Sequence, residues 1–299
     1  MRRSSSYQSK NFRTKRRVRR VVVAIGAICV IAVSVYIFSL LSTLQFFTIT
    51  NVVVSAADQS KINIIHDQVL TKLQGKYLGL FSRANDFLYP HGAIIETIKT
   101  FNTEVSSVDV TRSDRHTLTV SIVEKTPAAL ICTTLPDFNG NELMLDDSGD
   151  CYFVDASGFI FKKAPSFSSR VYHRYYVPDL AGPADLASTT GVVGMYATST
   201  AEFQSIQKIY DGLEANSIKT DAALIKGGGE YEWYVRNPGM SSSTAVIYFN
   251  TVSSTTEQFS NLISFWSHSL SVARTNKEIL EFDYIDVRYG DNVFFRKSR

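Results

Sequence analysis

The hydrophobic pattern of the chain begins with an unbroken apolar run close to its N-terminus. No charged residue occurs from Val21 to Leu44, and at about 1.5 Å per residue such a run can cross a hydrocarbon core of roughly 30 Å. A cleavable signal peptide has an apolar core of only about 7–15 residues, followed by small residues at the cleavage site. This run is longer and continues into the bulky sequence LQFFTIT. The pattern therefore predicts an uncleaved transmembrane helix over residues 21–44.

Residues 45–125 carry helical and strand periodicities in succession. The segment Phe47–Ser55 is rich in β-branched and aromatic residues, which is typical of a strand. Two alternating segments near the end of this block, VSSVDVTR and HTLTVSIVE, predict paired strands with one face covered by helices. Two helical stripes lie between the first strand and these two segments, formed by Ile62, Ile65, Val69 and Leu73 and by Ile94, Ile98 and Phe101. The predicted order is β-α-α-β-β.

Residues 126–299 are predicted to be mostly β-structure. Turn-forming sequences separate three pairs of strand-like segments, at residues 156–158, 237–243 and 290–292. Amphipathic helices are predicted at residues 202–216 and 255–273. Residues 166–200 are rich in Ser, Thr, Pro and Gly and predict no clear element. The expected fold class is α+β, with one transmembrane helix, a β-α-α-β-β domain and a mostly antiparallel β domain with flanking helices.

Charge predicts how the chain is oriented across the membrane. The first 20 residues contain nine basic residues and no acidic one. Basic flanks stay in the cytoplasm, so residues 1–20 are predicted to be a cytoplasmic tail and the rest an extracytoplasmic region. Removing these nine from the 31 basic residues leaves 22, against 28 acidic ones. Basic clusters can also bind nucleic acid, but topology and anionic lipid headgroups explain the tail with fewer assumptions, and no nucleic-acid partner is predicted.

Cysteine usage agrees with export. Cys29 lies in the apolar run, which leaves Cys132 and Cys151 as the two cysteines outside it. A pair of cysteines in an oxidising compartment is a candidate disulfide. The five histidines, at positions 66, 91, 116, 173 and 268, lack the spacing of zinc ligands. No metal site and no cofactor are predicted.

Catalytic motifs are absent from the sequence. It contains no G-x-S-x-G, H-E-x-x-H or P-loop sequence. Gly227–Gly229 resembles a phosphate-binding loop only in composition and is better explained as a turn between two strands. The acidic cluster Asp146, Asp147 and Asp150 offers too few oxygens for a firm calcium site, and a solvated loop explains it better. The chain is predicted not to be an enzyme, although an extracytoplasmic cell-wall enzyme without familiar motifs stays an alternative.

The two blocks in this order resemble a known family. The segment from FFTITNVVVS to SIVEKTPAAL is similar to a polypeptide-transport-associated (POTRA) module. Followed by CYFVDASGFIF and ending in YIDVRYGDNVFFRK, the chain resembles the FtsQ/DivIB family of bacterial division proteins. The resemblance covers nearly the whole chain, and its most specific parts are Val108–Pro127, VDASGFIF and IDVRYGD. The Cys132/Cys151 pair is not a general feature of that family, which suggests a divergent lineage.

The resemblance implies a domain organisation and a function. The POTRA-like domain is expected at residues 45–125 and the second domain at 126–299. The implied function is that of a non-enzymatic, single-pass scaffold in the cytoplasmic (inner) membrane at the division site. Such scaffolds recruit small bitopic coiled-coil proteins of the FtsB and FtsL class and help control the septal peptidoglycan synthesis machinery. A POTRA-containing bitopic adaptor of a secretion or pilus machine is the alternative.

The last predicted strand is the expected docking site for such a partner. Only Ser298 and Arg299 follow NVFFRK in the sequence, so no further segment is expected to cover its outer edge. An open edge is a row of unpaired N–H and C=O groups to which a partner can add a strand. The alternative is that Arg296 and Lys297 merely protect a bare edge. The predicted partner-binding residues are Tyr289, Gly290, Asp291, Asn292, Val293, Phe294 and Phe295.

Overall fold

The structure is a computed structural model that describes most of the chain. The described residues are 8–135, 137–139, 142–144, 151–165, 171–180, 191–240, 243–251 and 254–298. They form two compact units, one ending at Glu124 and the other beginning at Lys125. The first residues of the basic tail, the acidic cluster at 145–150 and parts of the segment 166–200 lie outside the described residues.

The N-terminal helix is longer than its apolar part. Helix α1 spans Gln8–Ser42, whereas the apolar run predicted a helix over residues 21–44. The helix begins earlier because arginine and lysine are good helix formers, and it ends earlier because Gln45–Phe47 form a short 3₁₀ turn. Val18–Ser42 is long and apolar enough to cross a membrane, and nearly all of it is exposed, whereas Ser42 at its end is buried.

The rest of the first unit contains a small sheet and two helices. Strands β1, β5 and β4 form a three-stranded sheet in that order, with β1 parallel and β4 antiparallel to β5. A two-stranded ribbon of β2 and β3 lies between the helices in sequence. The elements are β1 Asn51–Ser55, α2 Gln59–Leu73, β2 Lys76–Tyr77, β3 Phe81–Ser82, α3 His91–Phe101, β4 Val105–Arg112 and β5 Thr117–Glu124.

One face of the small sheet packs against the two helices. Leu118 and Val120 of β5 are fully buried together with Val69 of α2 and Ile98 of α3. The alternate residues of β5 are less buried, as expected when one face of a sheet is covered. Strand β1 begins at Asn51, later than the predicted Phe47, because the 3₁₀ turn occupies the preceding aromatic residues.

The second unit is built on one large sheet. Nine strands lie in the order β10-β9-β6-β11-β12-β13-β14-β15-β16. Most neighbours are antiparallel, whereas β6–β11, β11–β12 and β14–β15 are parallel. The elements are β6 Ala129–Cys132, β7 Asp137–Asn139, β8 Glu142–Met144, β9 Cys151–Val154, β10 Ile160–Lys163, β11 Arg174–Tyr176, α4 Thr200–Ala215, β12 Thr220–Lys226, β13 Glu230–Arg236, β14 Thr244–Asn250, α5 Thr255–Asn276, β15 Phe282–Tyr289 and β16 Asn292–Lys297.

These elements confirm the coarse prediction of a mixed α+β protein with one N-terminal apolar helix and a large, mostly antiparallel sheet. The sheet includes β11, which lies in the segment 166–200 where the sequence predicted no element. Both helices of the second unit begin at a serine whose hydroxyl accepts a hydrogen bond from the backbone N–H of a glutamate three residues later. These caps are Ser199 with Glu202 and Ser254 with Glu257, and such caps fix where a helix begins.

The helices bury one face of the large sheet. Phe203 of α4 and Leu262 of α5 are fully buried together with Trp233, Ile247 and Ile285 of the sheet. Burial of large apolar side chains contributes about 1.5–3 kcal/mol each. Strands β13, β14 and β15 are therefore anchored firmly through their inner face.

The VDASGFIF sequence forms the turn between β9 and β10. Asp155 accepts hydrogen bonds from the backbone N–H groups of Ser157 (2.9 Å) and Phe159 (3.2 Å) and from the ammonium group of Lys125. Gly158 has φ +82, and a Cβ there would come within 2.9 Å of the Phe203 ring. This turn accordingly requires glycine, and it fixes the hairpin at one end of the sheet.

Candidate functional site

The predicted docking residues lie on the terminal hairpin of the large sheet. Strand β16 is the last strand in the order, so one of its sides faces away from the sheet. Tyr289 ends β15, Gly290 and Asp291 form the turn, and Asn292–Phe295 begin β16. Gly290 has φ +60, a conformation that glycine adopts without steric cost. All seven predicted residues are therefore adjacent in space.

The outward-facing backbone groups of β16 can be assigned from the hydrogen bond at its end. The N–H of Ser298 donates to the carbonyl of Glu281 (3.1 Å) and therefore faces β15. Both irregularities of the pairing place the extra residue in β15, so β16 itself alternates regularly. It follows that the N–H groups of Val293, Phe295 and Lys297 face outward. Within the described part of the chain, no other backbone pairs with this side of β16.

Aromatic side chains flank the open edge on both faces of the sheet. Phe295 lies against Phe265 of α5, with ring centroids 4.8 Å apart, and against Phe282 at 5.9 Å. Phe294 lies on the opposite face, where its ring meets that of Tyr289 edge-on at 5.7 Å. Phe294 and Phe295 are 53% and 47% exposed. An added strand would therefore find an apolar anchor on each face of the edge.

Charged groups surround these aromatic residues. Arg288 donates to the Asp286 carboxylate (2.7 Å), and its guanidinium lies over the ring of Tyr289, 5.6 Å from the centroid. Arg296 donates to Asp283 at 2.6 Å. The edge thus combines apolar anchors with charges of both signs, which favour specificity and register more than affinity.

Asp283 connects the two strands at the far end of the hairpin. The hydroxyl of Ser298 and the guanidinium of Arg296 both donate to its carboxylate. The Ser298 hydrogen bond, together with that of Arg296, holds the pKa of Asp283 below its ordinary value, because both stabilise the ionised form. Asp283 therefore stays charged at neutral pH and holds the end of β16 in place.

Residues outside the predicted set position this hairpin. Asn237 is buried; its side chain donates to the carbonyl of Phe282 (3.0 Å) and accepts from the Phe282 N–H (2.8 Å), which fixes the start of β15. Asn261 of α5 donates to the carbonyl of Gly290 in the turn (2.9 Å). The sequence pattern predicted α5 but gave no signal for the contact of Asn261, since it depends on how the helix packs.

Cys132 and Cys151 lie elsewhere on the sheet. They are directly opposite one another on β6 and β9 and are joined by a disulfide, with Cα atoms 4.1 Å apart. In the strand order, β6 and β9 are separated from β16 by several strands. The disulfide therefore belongs to the framework of the second unit and not to the open edge.

Comparisons with known proteins add no family assignment. Neither a scan against protein-family models nor a search of curated proteins finds a match for this chain.

Proposed function

We propose that this chain is a non-enzymatic, single-pass membrane scaffold of the bacterial division septum, as its resemblance to the FtsQ/DivIB family implies. The observation that carries the proposal is the open, aromatic-flanked edge of β16, which coincides with the YGDNVFF residues of the resemblance. Small bitopic coiled-coil proteins of the FtsB and FtsL class are the proposed partners. Through them the scaffold would help control septal peptidoglycan synthesis.

Membrane anchorage by α1 is the second part of the proposal. Val18–Ser42 is long and strongly apolar, and nearly all of its residues are exposed, which is typical of a helix that faces lipid. The nine basic residues among the first 20 favour a cytoplasmic N-terminus. The rest of the first unit and the whole second unit would then lie outside the cytoplasm, where the Cys132–Cys151 disulfide is stable.

The first unit supports the POTRA part of the resemblance. Its elements follow the order β-α-α-β-β apart from the inserted ribbon, and both helices cover one face of the sheet. The same features fit a POTRA-containing adaptor of a secretion or pilus machine. The terminal IDVRYGD sequence and its edge strand favour the division scaffold.

A co-purification experiment tests the proposed docking. The full chain and a variant lacking residues 290–299 are each purified in detergent with the coiled-coil division proteins of the same cell. We expect retention of these partners by the full chain and their loss from the shortened one. Equal retention by both proteins would refute docking at β16.

Cellular localisation separates the two candidate functions. A fluorescent fusion at the cytoplasmic N-terminus is expected to concentrate at the division septum. Localisation to cell poles or to a secretion apparatus would instead support the adaptor. Substitution of single Ser, His or Asp residues is expected to spare division unless the protein unfolds, whereas an essential side chain with enzyme-like chemistry would contradict the scaffold role.

A further inference from the structure

An apolar cleft lies between the end of α1 and the ribbon of the first unit. Its volume is about 460 Å³. One wall is formed by α1 and the other by residues at the ribbon and the segment that follows it. The apolar residues that line the cleft include Val35, Phe38, Leu41, Phe81, Phe87 and Leu88.

Hydrogen bonds fix the ribbon to the last turn of α1. The hydroxyl of Ser39 donates to the carbonyl of Leu80 (2.7 Å), and the N–H of Ser82 donates to the hydroxyl of Ser42 (3.2 Å). The side-chain amide of buried Asn85 donates to the carbonyl of Ser42 (3.2 Å). The ribbon therefore has a defined depth along the helix axis.

That depth falls within the bilayer if α1 spans it. Val35 lies 15 residues beyond Arg20, the last charged residue before the span, and Leu41 lies 21 residues beyond it. At 1.5 Å per residue these positions are about 22 and 31 Å along the axis, compared with a hydrocarbon core of roughly 30 Å. The cleft therefore occupies the last third of the hydrocarbon core and its boundary.

The ribbon and the segment that follows it expose apolar side chains. Leu78, at the tip of the ribbon, is 95% exposed although its φ of +50 is unfavourable for a leucine. Phe87, which lines the cleft, is 72% exposed. In water these side chains leave apolar surface exposed. Contact with lipid chains would remove that surface from water and stabilise it by about 25 cal/mol per Å².

Arginines accompany the aromatic residues of this region. Arg112 lies over the ring of Phe87 at 5.8 Å, and Arg115 lies over the ring of Phe46 at 4.8 Å. The ring of Phe46 in turn meets that of Phe47, which lines the cleft, at 5.0 Å. Aromatic and basic side chains are typical of the boundary between hydrocarbon and anionic headgroups.

We propose that this face of the first unit enters the bilayer leaflet next to Ser42, where a phospholipid acyl chain fills the cleft and Leu78 inserts among the chains. Continuity with the membrane-spanning helix identifies lipid as the occupant. The inference rests on the proposed membrane anchorage and is independent of docking at β16.

Site-specific fluorescence in vesicles tests the proposal. The full chain is reconstituted into vesicles of phosphatidylethanolamine and phosphatidylglycerol with a polarity-sensitive fluorophore on a single cysteine. The labelled positions are native Cys29, and Leu78→Cys, Phe87→Cys and Phe101→Cys, each combined with Cys29→Ala. Phe101 is 72% exposed like Phe87. It ends α3, whose first residue closely follows the cleft residue Leu88, so it lies about 15 Å along that helix from the cleft and is a matched control.

Two quenchers distinguish the environments. Lipids with brominated acyl chains are expected to quench the labels at positions 29, 78 and 87 but not the label at 101. Aqueous iodide is expected to quench position 101 at least about fivefold more strongly than position 78, because hydrocarbon excludes ions. Circular dichroism of each labelled protein checks that it remains folded.

The remaining outcomes overturn the proposal in distinguishable ways. If positions 78 and 87 are as open to iodide as 101 while position 29 is lipid-quenched, the insertion fails and the anchorage stands. If position 29 is also open to iodide, the anchorage itself fails. If positions 78 and 87 are shielded from iodide but not quenched by brominated lipid, a second copy of the chain covers the cleft. If they become shielded only after a partner is added, a partner helix occupies it.

Discussion

The two edge strands of the nine-stranded sheet differ in how far their outer sides are covered. At one edge, strand β10 is short, contains an irregularity of pairing between Ile160 and Lys162, and ends in two exposed lysines. Its outer side is also covered, since the N–H of Ile160 donates to the carbonyl of Met195 and the N–H of Gly194 donates to the carbonyl of Ile160, both at 2.8 Å. These are the usual means by which proteins prevent a strand from pairing with another molecule.

At the other edge, strand β16 has none of this cover within the described residues. It is six residues long. The irregularities of its pairing place extra residues in β15, so β16 itself is regular. Phe294 and Phe295 project from it at about half exposure. The open and regular edge of β16, with its two half-exposed phenylalanines, is the edge to which the proposed partner would add a strand.

The largest expected effect comes from closing the open edge. Replacing Val293 with proline removes an outward-facing N–H and places a ring where an added strand must pair. We expect partner binding to weaken at least about 100-fold, or roughly 3 kcal/mol, while the melting temperature changes little. Isothermal titration calorimetry with the full chain in nanodiscs and thermal denaturation measure the two quantities.

Two variants control for this substitution. Val293→Ala removes similar side-chain contacts but keeps the N–H, and binding is expected to stay close to that of the unaltered protein. Phe294→Pro removes an inward-facing N–H and is expected to unfold the hairpin, because the bond to β15 is lost. Unchanged binding by Val293→Pro would place the docking surface elsewhere.

The second prediction concerns a substitution that removes the cover from the β10 edge. Gly194 has φ +96, which proline cannot adopt, and its N–H is one of the two groups that cover Ile160. We expect Gly194→Pro to lower the free energy of unfolding by roughly 2–4 kcal/mol. Because the β10 edge is then exposed, concentration-dependent self-association is expected in light scattering.

A matched variant separates backbone strain from loss of cover. Gly194→Ala keeps the N–H and is expected to cost about 1–2 kcal/mol through strain at positive φ. It should remain monomeric. Self-association of Gly194→Ala equal to that of Gly194→Pro would mean that loop cover does not protect this edge.

Of the two edges, only the open one could be predicted from the sequence. The open edge was predictable because NVFFRK contains strand-forming residues and is joined to FDYIDVRY by the turn-forming sequence GDN. The cover over β10 was not, since residues 191–197 contribute single backbone hydrogen bonds and carry no periodic pattern. Cover by a loop is a tertiary property that composition does not encode.

Other missed features have the same cause. Strand β11 is only three residues long and pairs in parallel with β6 and β12, which are far from it in sequence. A short strand buried on both faces has no alternation to detect. The β2–β3 ribbon has two residues in each strand, too few for any periodicity. By contrast, helices α2, α3, α4 and α5 followed from their apolar stripes.

The third prediction compares the two faces of the open edge. Phe295 contacts Phe265 and Phe282 within the protein, whereas Phe294 contacts the ring of Tyr289. We expect Phe295→Ala to lower the free energy of unfolding by about 1–2 kcal/mol and Phe294→Ala by less than about 0.5 kcal/mol. Both are expected to weaken partner binding about tenfold. A loss of stability without loss of binding in Phe294→Ala would assign that side chain to the fold alone.

The smallest expected effect concerns pH, because each edge hairpin contains an aspartate with a lowered pKa. Partial burial acts to raise the pKa of Asp155, but hydrogen bonds from Lys125, Ser157 and Phe159 outweigh it and lower the pKa. At the open edge, the Ser298 hydroxyl and Arg296 lower that of Asp283. Arg296 is 68% exposed, so solvent screens its part of the interaction strongly.

The sign of the pH effect is the same at both edges, but its size differs. A lowered folded-state pKa contributes stability that is present above the ordinary value of 3.8 and is lost as the pH falls through the folded-state pKa. At neutral pH we expect Asp155→Asn to cost about 1–2 kcal/mol and Asp283→Asn less than about 0.5 kcal/mol. Melting curves from about pH 7 down to about pH 2 should show each variant converging on the unaltered protein in acid. If Asp283→Asn costs as much as Asp155→Asn, the end of β16 is held as rigidly as the covered edge, and the contrast between the two edges then rests on backbone cover alone.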